Sequence, residues 1–140
     1  MTHKNDYRIG DVYMVEFYGC GCEQQGVRPA VIFQNNVGNK YSPNVIALPM
    51  TSVMKKLSQP THVLIRASES GLDRDSLVLC ENPERVCKLR IGEYITHLSH
   101  EHMKKIAIAS VLASSAISFI DERTLLAVKS KADRLNFLKN

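Results

Sequence analysis

No stretch of this sequence is long and apolar enough to cross a bilayer as a helix. Its longest charge-free run, residues 106–120, has 15 residues and includes Ser110, Ser114, Ser115 and Ser118. As a helix it would measure about 22 Å, against roughly 30 Å of bilayer hydrocarbon. The opening segment, MTHKNDYRIGDVY, lacks the apolar core of a signal peptide. Together these absences set the expectation of a cytoplasmic protein without a membrane partner. A broad basic field is also missing. The chain carries a net charge of +4, but residues 122–140 alone contribute +3, through Arg123, Lys129, Lys131, Arg134 and Lys139 against Glu122 and Asp133. The remaining body is nearly neutral, so any nucleic acid it binds must be held by a few placed cations. The paired C-x2-C spacing of a structural zinc site is absent as well. Cys20 and Cys22 are separated by one residue, and Cys80 and Cys87 by six. His97, His100 and His102 lie close in sequence, but that spacing alone does not aim three rings at one ion, and no metal or cofactor is expected. The G-x-S-x-G elbow, the P-loop, H-E-x-x-H and the dinucleotide fingerprint are all missing.

What is present fits one globular domain spanning residues 1–140. Hydrophobic residues make up 44% of the 140 and charged residues 23%, which excludes wholesale disorder. Up to about residue 99 the pattern is one of short strands. Tyr13, Val15 and Phe17 alternate with polar Glu16, and apolar runs follow at residues 30–33 (AVIF), 45–48 (VIAL), 62–65 (HVLI) and 77–80 (LVLC). Residues 86–89 and 93–96 add two shorter candidates. Gly38-Asn39, Tyr41-Ser42-Pro43 and Ser70-Gly71 supply turns between them. Close spacing of short strands predicts a small barrel, over about residues 7–99. Helices are expected over about residues 100–140, the first capped by Ser99, with an apolar stripe through Met103, Ile106, Ile117 and Ile120. Asp121 is expected to cap the second, whose stripe runs through Leu125, Val128, Ala132, Leu135 and Leu138. Both stripes read as core or subunit-packing faces.

Two features carry chemistry. Residues 22–29, CEQQGVRP, run directly into the AVIF strand and present Arg28 at its mouth, held by Pro29 and preceded by Gly26. Pro49-Met50-Thr51-Ser52 ends the VIAL strand with two hydroxyls. A guanidinium forks onto phosphate oxygens and a threonine hydroxyl donates to the same group, so the two together would suit a phosphodiester. Separately, each also reads as a surface salt bridge or a turn cap.

With those residues in view, the chain resembles the MazF/PemK toxins of bacterial toxin–antitoxin systems. The matching segments are Arg8-Ile9-Gly10-Asp11-Val12-Tyr13, residues 23–43 (EQQGVRPAVIFQNNVGNKYSP), Pro49-Met50-Thr51-Ser52, Pro60-Thr61-His62-Val63, Asp73-Arg74-Asp75-Ser76 and Ile95-Thr96-His97-Leu98. They occur in the family's order between about residues 7 and 120. The resemblance implies a mainly β fold with α-helices (α+β), an SH3-like small β-barrel with C-terminal helices, working as a homodimer. It implies a ribosome-independent, sequence-specific endoribonuclease, an mRNA interferase, that cuts single-stranded mRNA by 2′-OH attack without a metal. A cognate antitoxin restrains it. Arg28 and Thr51 are then the catalytic pair, and Glu23, Gln24 and Ser52 contact RNA. A gyrase-binding toxin of the same barrel and a noncatalytic RNA-binding barrel are the alternatives. The chain departs from the family in Cys20 and Cys22, in the segment Asn82-Pro83-Glu84-Arg85-Val86-Cys87, where Arg85 carries over no role, and in residues 121–140.

Overall fold

A computed structural model describes residues 6–21, 24–55 and 57–139. Strand β1 (Asp11–Tyr18) turns back into β2 (Gln25–Ile32), with Val12 opposite Val31 and Tyr18 opposite Gln25. Helix α1 (Asn36–Tyr41) follows, and β3 (Asn44–Thr51) then returns beside β2. Next come β4 (His62–Ile65), the one-turn α2 (Ala67–Ser70), β5 (Ser76–Leu79), β6 (Glu84–Cys87) and β7 (Ile91–His97). The strands pair antiparallel in the order β4-β5-β3-β2-β1-β7, and β6 adds to β3. The sheet is barrel-like but not closed, because its end strands β4 and β7 do not pair among the described residues.

Both faces of this sheet are covered. Val12, Val31, Leu48, Met50, Val63, Ile65 and Val78 form one core with Ile106 and Ala109 of α3 (His100–Ala113). Tyr13, Val15, Phe17, Ala30, Ile32, Val45, Ala47 and Val86 form a second on the opposite face. That is why Ala30, Val31 and Ile32 are apolar at consecutive positions, as are Ala47 and Leu48, while Ile46 is exposed: a stretch buried on both sides has no polar face. Each fully buried aliphatic side chain stabilises the fold by about 1.5–3 kcal/mol. The segment before β1 is tied down by Asp11, which is 5% exposed. Its carboxylate accepts from the Arg8 N–H at 2.9 Å and contacts His97 Nδ1 at 2.7 Å.

Three sequence expectations change. The Gly38-Asn39 and Tyr41-Ser42-Pro43 turns are in fact α1 and its exit: Asn35 caps the helix through the Gly38 N–H (2.9 Å), and Pro43 follows its C-cap, Ser42. The helix capped by Ser99 stops at Ala113 rather than running through Ile120. Ser115 takes a left-handed φ of 52°, and Ala116–Phe119 form a 3-10 turn. Serines favour such breaks because their hydroxyls bond locally; here Ser118 Oγ donates to the Ser115 carbonyl. Helix α4 (Glu122–Arg134) forms under its Asp121 cap as expected, but no residue of it is buried, so its stripe belongs to no core of this protomer. Among the described residues, no helix is long and apolar enough to cross a membrane.

Candidate active site

Arg28 is half-buried in β2, opposite Val15 of β1. Two residues earlier Gly26 adopts φ 77°, a left-handed turn that glycine takes without strain. Arg28 Nε donates to the Gln25 carbonyl at 3.0 Å, which fixes the guanidinium against its own strand. Thr51 is the last residue of β3 and lies opposite Leu77 of β5.

The β2–β3 ladder ends two residues short of both positions. The ladder pairs Ile32 with Ala47, Val31 with Leu48 and Ala30 with Pro49. Continued by two residues, the same register sets Arg28 across from Thr51, on one face of the sheet. The ladder ends at Ala30, next to Pro29, which carries no N–H to donate to β3. Beyond that point β2 stays with β1, while β3 pairs with β5 through Met50 and Thr51. Thr51 Oγ1 accepts the Val53 N–H at 3.1 Å, which leaves the hydroxyl proton for another acceptor.

The other candidates are distributed around this pair. Gln24 is half-buried at the foot of the β1–β2 loop, its Oε1 buried without a hydrogen-bond partner and its carbonyl accepting the Gly19 N–H at 2.9 Å. Glu23 lies outside the described residues. Ser52 is exposed and lines a cavity of about 510 Å³ with Met14, Pro29, Asp73, Arg74 and Ser76. Neither Arg28 nor Thr51 lines it. Asp73, Arg74 and Ser76, from a segment assigned no role in the sequence reading, thus join Ser52 in one hollow. That segment's signal was a motif without an assigned chemistry.

The histidine cluster does not converge. His97 faces Asp11, and His102 faces Glu69 with 3.5 Å between Nε2 and Oε2. Among the described residues, no three His, Cys, Asp or Glu side chains are placed to hold a metal ion. Cys80 and Cys87 are free thiols, and burial pushes the Cys80 thiol up to about 11. Arg85 is occupied structurally: its Nε and Nη2 donate to the Asn44 side-chain oxygen at 3.2 and 3.0 Å.

A family model described as the PemK-like, MazF-like toxin of type II toxin–antitoxin systems matches residues 8–114. The chain belongs to this toxin family. It is 40% identical over 111 residues to Endoribonuclease EndoA of Bacillus subtilis (strain 168), covering 79% of this chain and 96% of that protein. It is 45% identical over 100 residues to Endoribonuclease MazF of Staphylococcus saprophyticus, covering 71% and 83%. Among solved structures, a mycobacterial endoribonuclease in complex with its cognate antitoxin superposes with a TM-score of 0.65 at 26% identity, over 79% of this chain and 96% of that one. MazF of Deinococcus radiodurans gives a TM-score of 0.68 at 20% identity, over 78% and 96%, and speaks for the fold. The toxin's α4 lies beyond the matched residues. Endoribonuclease relatives of this similarity do not favour the gyrase-binding or noncatalytic alternatives.

Proposed function

We propose that this toxin is a ribosome-independent endoribonuclease that cuts single-stranded mRNA, with Arg28 and Thr51 as its catalytic pair. What supports the assignment is that Arg28 and Thr51 each stand two residues beyond the last β2–β3 pair, Ala30 with Pro49, on adjacent strands. The ribose 2′-oxygen attacks the adjacent phosphorus, a new P–O bond forms, and the bond to the 5′-oxygen breaks. The products are a 2′,3′-cyclic phosphate and a 5′-hydroxyl end. The nucleophile belongs to the RNA, so the reaction needs no metal-bound water and spares DNA. Arg28 serves as a fixed cation for the oxygens of the phosphorane-like transition state. Thr51 donates its free hydroxyl proton to the same group. Gln24, Ser52 and Glu23 contact flanking nucleotides.

The toxin works as a homodimer in the cytoplasm, where mRNA is found, and is restrained by a cognate antitoxin. An antitoxin with an acidic, apolar segment that folds on binding would compete with RNA for the Arg28 surface. The test is incubation of purified protein with RNA alone, in EDTA and without ribosomes. Cleavage leaving cyclic-phosphate and 5′-hydroxyl ends, and stopping when the scissile ribose is replaced by deoxyribose, is the expected result. Activity that disappears in chelator and returns with a divalent ion would overturn the mechanism.

A further inference from the structure

A second cationic groove lies away from the Arg28–Thr51 pair. It has a volume of about 470 Å³ and runs along the outer edge of β4, walled by Arg66 and Glu69 at α2 and by His102 and Lys105 of α3. His62 and Leu64 of β4 and the preceding Pro60 complete it. Because β4 is an end strand, nothing among the described residues pairs with this edge. Arg66 and Lys105 are exposed, and among the described residues neither side chain has a hydrogen bond or ion pair. The acids in the neighbourhood face other groups. Glu81 contacts His62 Nε2 at 2.8 Å, and Glu69 faces His102 Nε2 at 3.5 Å. His102 is 7% exposed, and its Nδ1 is buried with no hydrogen-bond partner. Two uncompensated cations in an open, polar groove have the chemistry of a phosphate-binding surface.

The sheet register relates this groove to the catalytic pair. Thr51 lies opposite Leu77, and Leu77 lies opposite Leu64. Thr51, Leu77 and Leu64 therefore project from one face, in a row that crosses β3, β5 and β4. His62 is two residues from Leu64 and projects from that face too. Helix α3 packs on the other face over Val63 and Ile65, so the groove, which Val63 also lines, wraps around the β4 edge. Two strand spacings separate Thr51 from Leu64, roughly 10 Å. A single strand of RNA with its scissile phosphate at Arg28 and Thr51 reaches that distance within a few nucleotides.

We propose that the β4–α2–α3 groove is an RNA phosphate subsite, in which Arg66 and Lys105 hold the backbone of nucleotides flanking the cut. This rests on the endoribonuclease reading and names a further part of its substrate contact. The subsite lengthens the RNA footprint and adds affinity without reading base sequence, because cations on phosphates position a strand but do not discriminate bases.

The test uses an RNA that the wild-type protein cuts, made uncleavable by a deoxyribose at the mapped cut site, together with end-trimmed versions of it. Equilibrium binding is measured against salt for wild type and for the Arg66→Gln/Lys105→Gln double variant, with thermal unfolding to confirm that both are folded. Loss of two phosphate contacts should weaken binding of the full-length RNA about tenfold near 0.1 M salt. It should also lower the slope of log K against log salt by about 1.4, at about 0.7 per contact on a single strand. RNA trimmed too short to reach the groove should bind both proteins alike. Unchanged affinity and slope for the long RNA would overturn the proposal, as would an equal loss for long and trimmed RNA. Loss of antitoxin affinity with RNA binding intact would overturn it by making the groove a protein-docking surface. Wild-type protein that neither binds nor cuts any RNA would instead refute the endoribonuclease reading.

Discussion

Replacing Thr51 by valine removes one hydroxyl and almost nothing else, because the two side chains have nearly the same shape. In the structure that hydroxyl accepts the Val53 N–H at 3.1 Å and retains a proton to donate. Val53 is exposed, so water takes over its N–H in the variant and the stability cost should stay below about 1 kcal/mol. The donated bond is another matter. A hydrogen bond to a charged acceptor contributes about 1.5–3 kcal/mol, and each 1.4 kcal/mol on the barrier is about tenfold in rate. Thr51→Val should therefore slow single-turnover cleavage by roughly 10- to 150-fold, with the melting temperature lowered by no more than a few degrees. Thr51→Ser keeps the hydroxyl and should recover most of the rate. The assay is gel-resolved cleavage of end-labelled RNA at saturating protein. A valine variant as fast as wild type, or a serine variant as slow as the valine one, would refute the role of the hydroxyl.

Gly10 has φ 92°, and an added Cβ would sit 3.2 Å from His97 Cε1 and 3.4 Å from Met103 Sδ. Gly10→Ala should therefore cost about 1–3 kcal/mol, read as a melting temperature lower by several degrees. Stability should also fall in alkali. Burial raises the Cys80 thiol from 9.0 to about 11, and burial followed by the Asp11 charge raises Tyr13 from 10.0 to about 12. Both groups lose their protons first in the unfolded chain, so their contribution is complete below about pH 9 and is lost as pH rises through the folded values. Denaturant unfolding at pH 8 and pH 10.5 should show the decline, and Cys80→Ala should shrink it. Removing residues 121–140 should leave the melting temperature within a few degrees of wild type, since α4 buries no residue in the protomer. The same truncation should weaken antitoxin binding more than RNA cleavage, and equal antitoxin affinity by calorimetry would count against that contact.

The strands were legible because their residues are buried in a pattern the sequence displays. Tyr13, Val15 and Phe17 alternate in β1, and Ala30, Val31 and Ile32 run apolar where both sheet faces are covered. Helix α1 was hidden by its composition. Asn35, Asn36, Gly38 and Asn39 favour turns, and the helix stands because tertiary contacts satisfy their amides. Asn36 accepts the Ile9 N–H at 2.8 Å, and Asn39 donates to the Gln34 carbonyl at 2.8 Å. The end of α3 was obscured because the apolar residues after Ala113 continue a helical spacing that the chain abandons at Ser114 and Ser115. Arg28 stood out through its neighbours Gly26 and Pro29. Its relation to Thr51 depends on the register of two strands joined through α1, and long-range register is not written at either position. The Arg66 and Lys105 groove was invisible for the same reason, since α2 and α3 meet there only in the folded chain.

The central claim is that the Arg28 guanidinium stabilises charge at the scissile phosphate. Its most direct test is the single-turnover rate of RNA cleavage in EDTA by wild type, Arg28→Lys and Arg28→Ala, each confirmed folded by its melting curve. Loss of one such electrostatic contact at a transition state typically costs on the order of 100-fold or more. Arg28→Ala should therefore fall by at least that factor. Arg28→Lys should stay well below wild type, because an ammonium keeps the charge without the planar fork. A folded Arg28→Ala protein that cuts RNA at the wild-type rate would contradict the account.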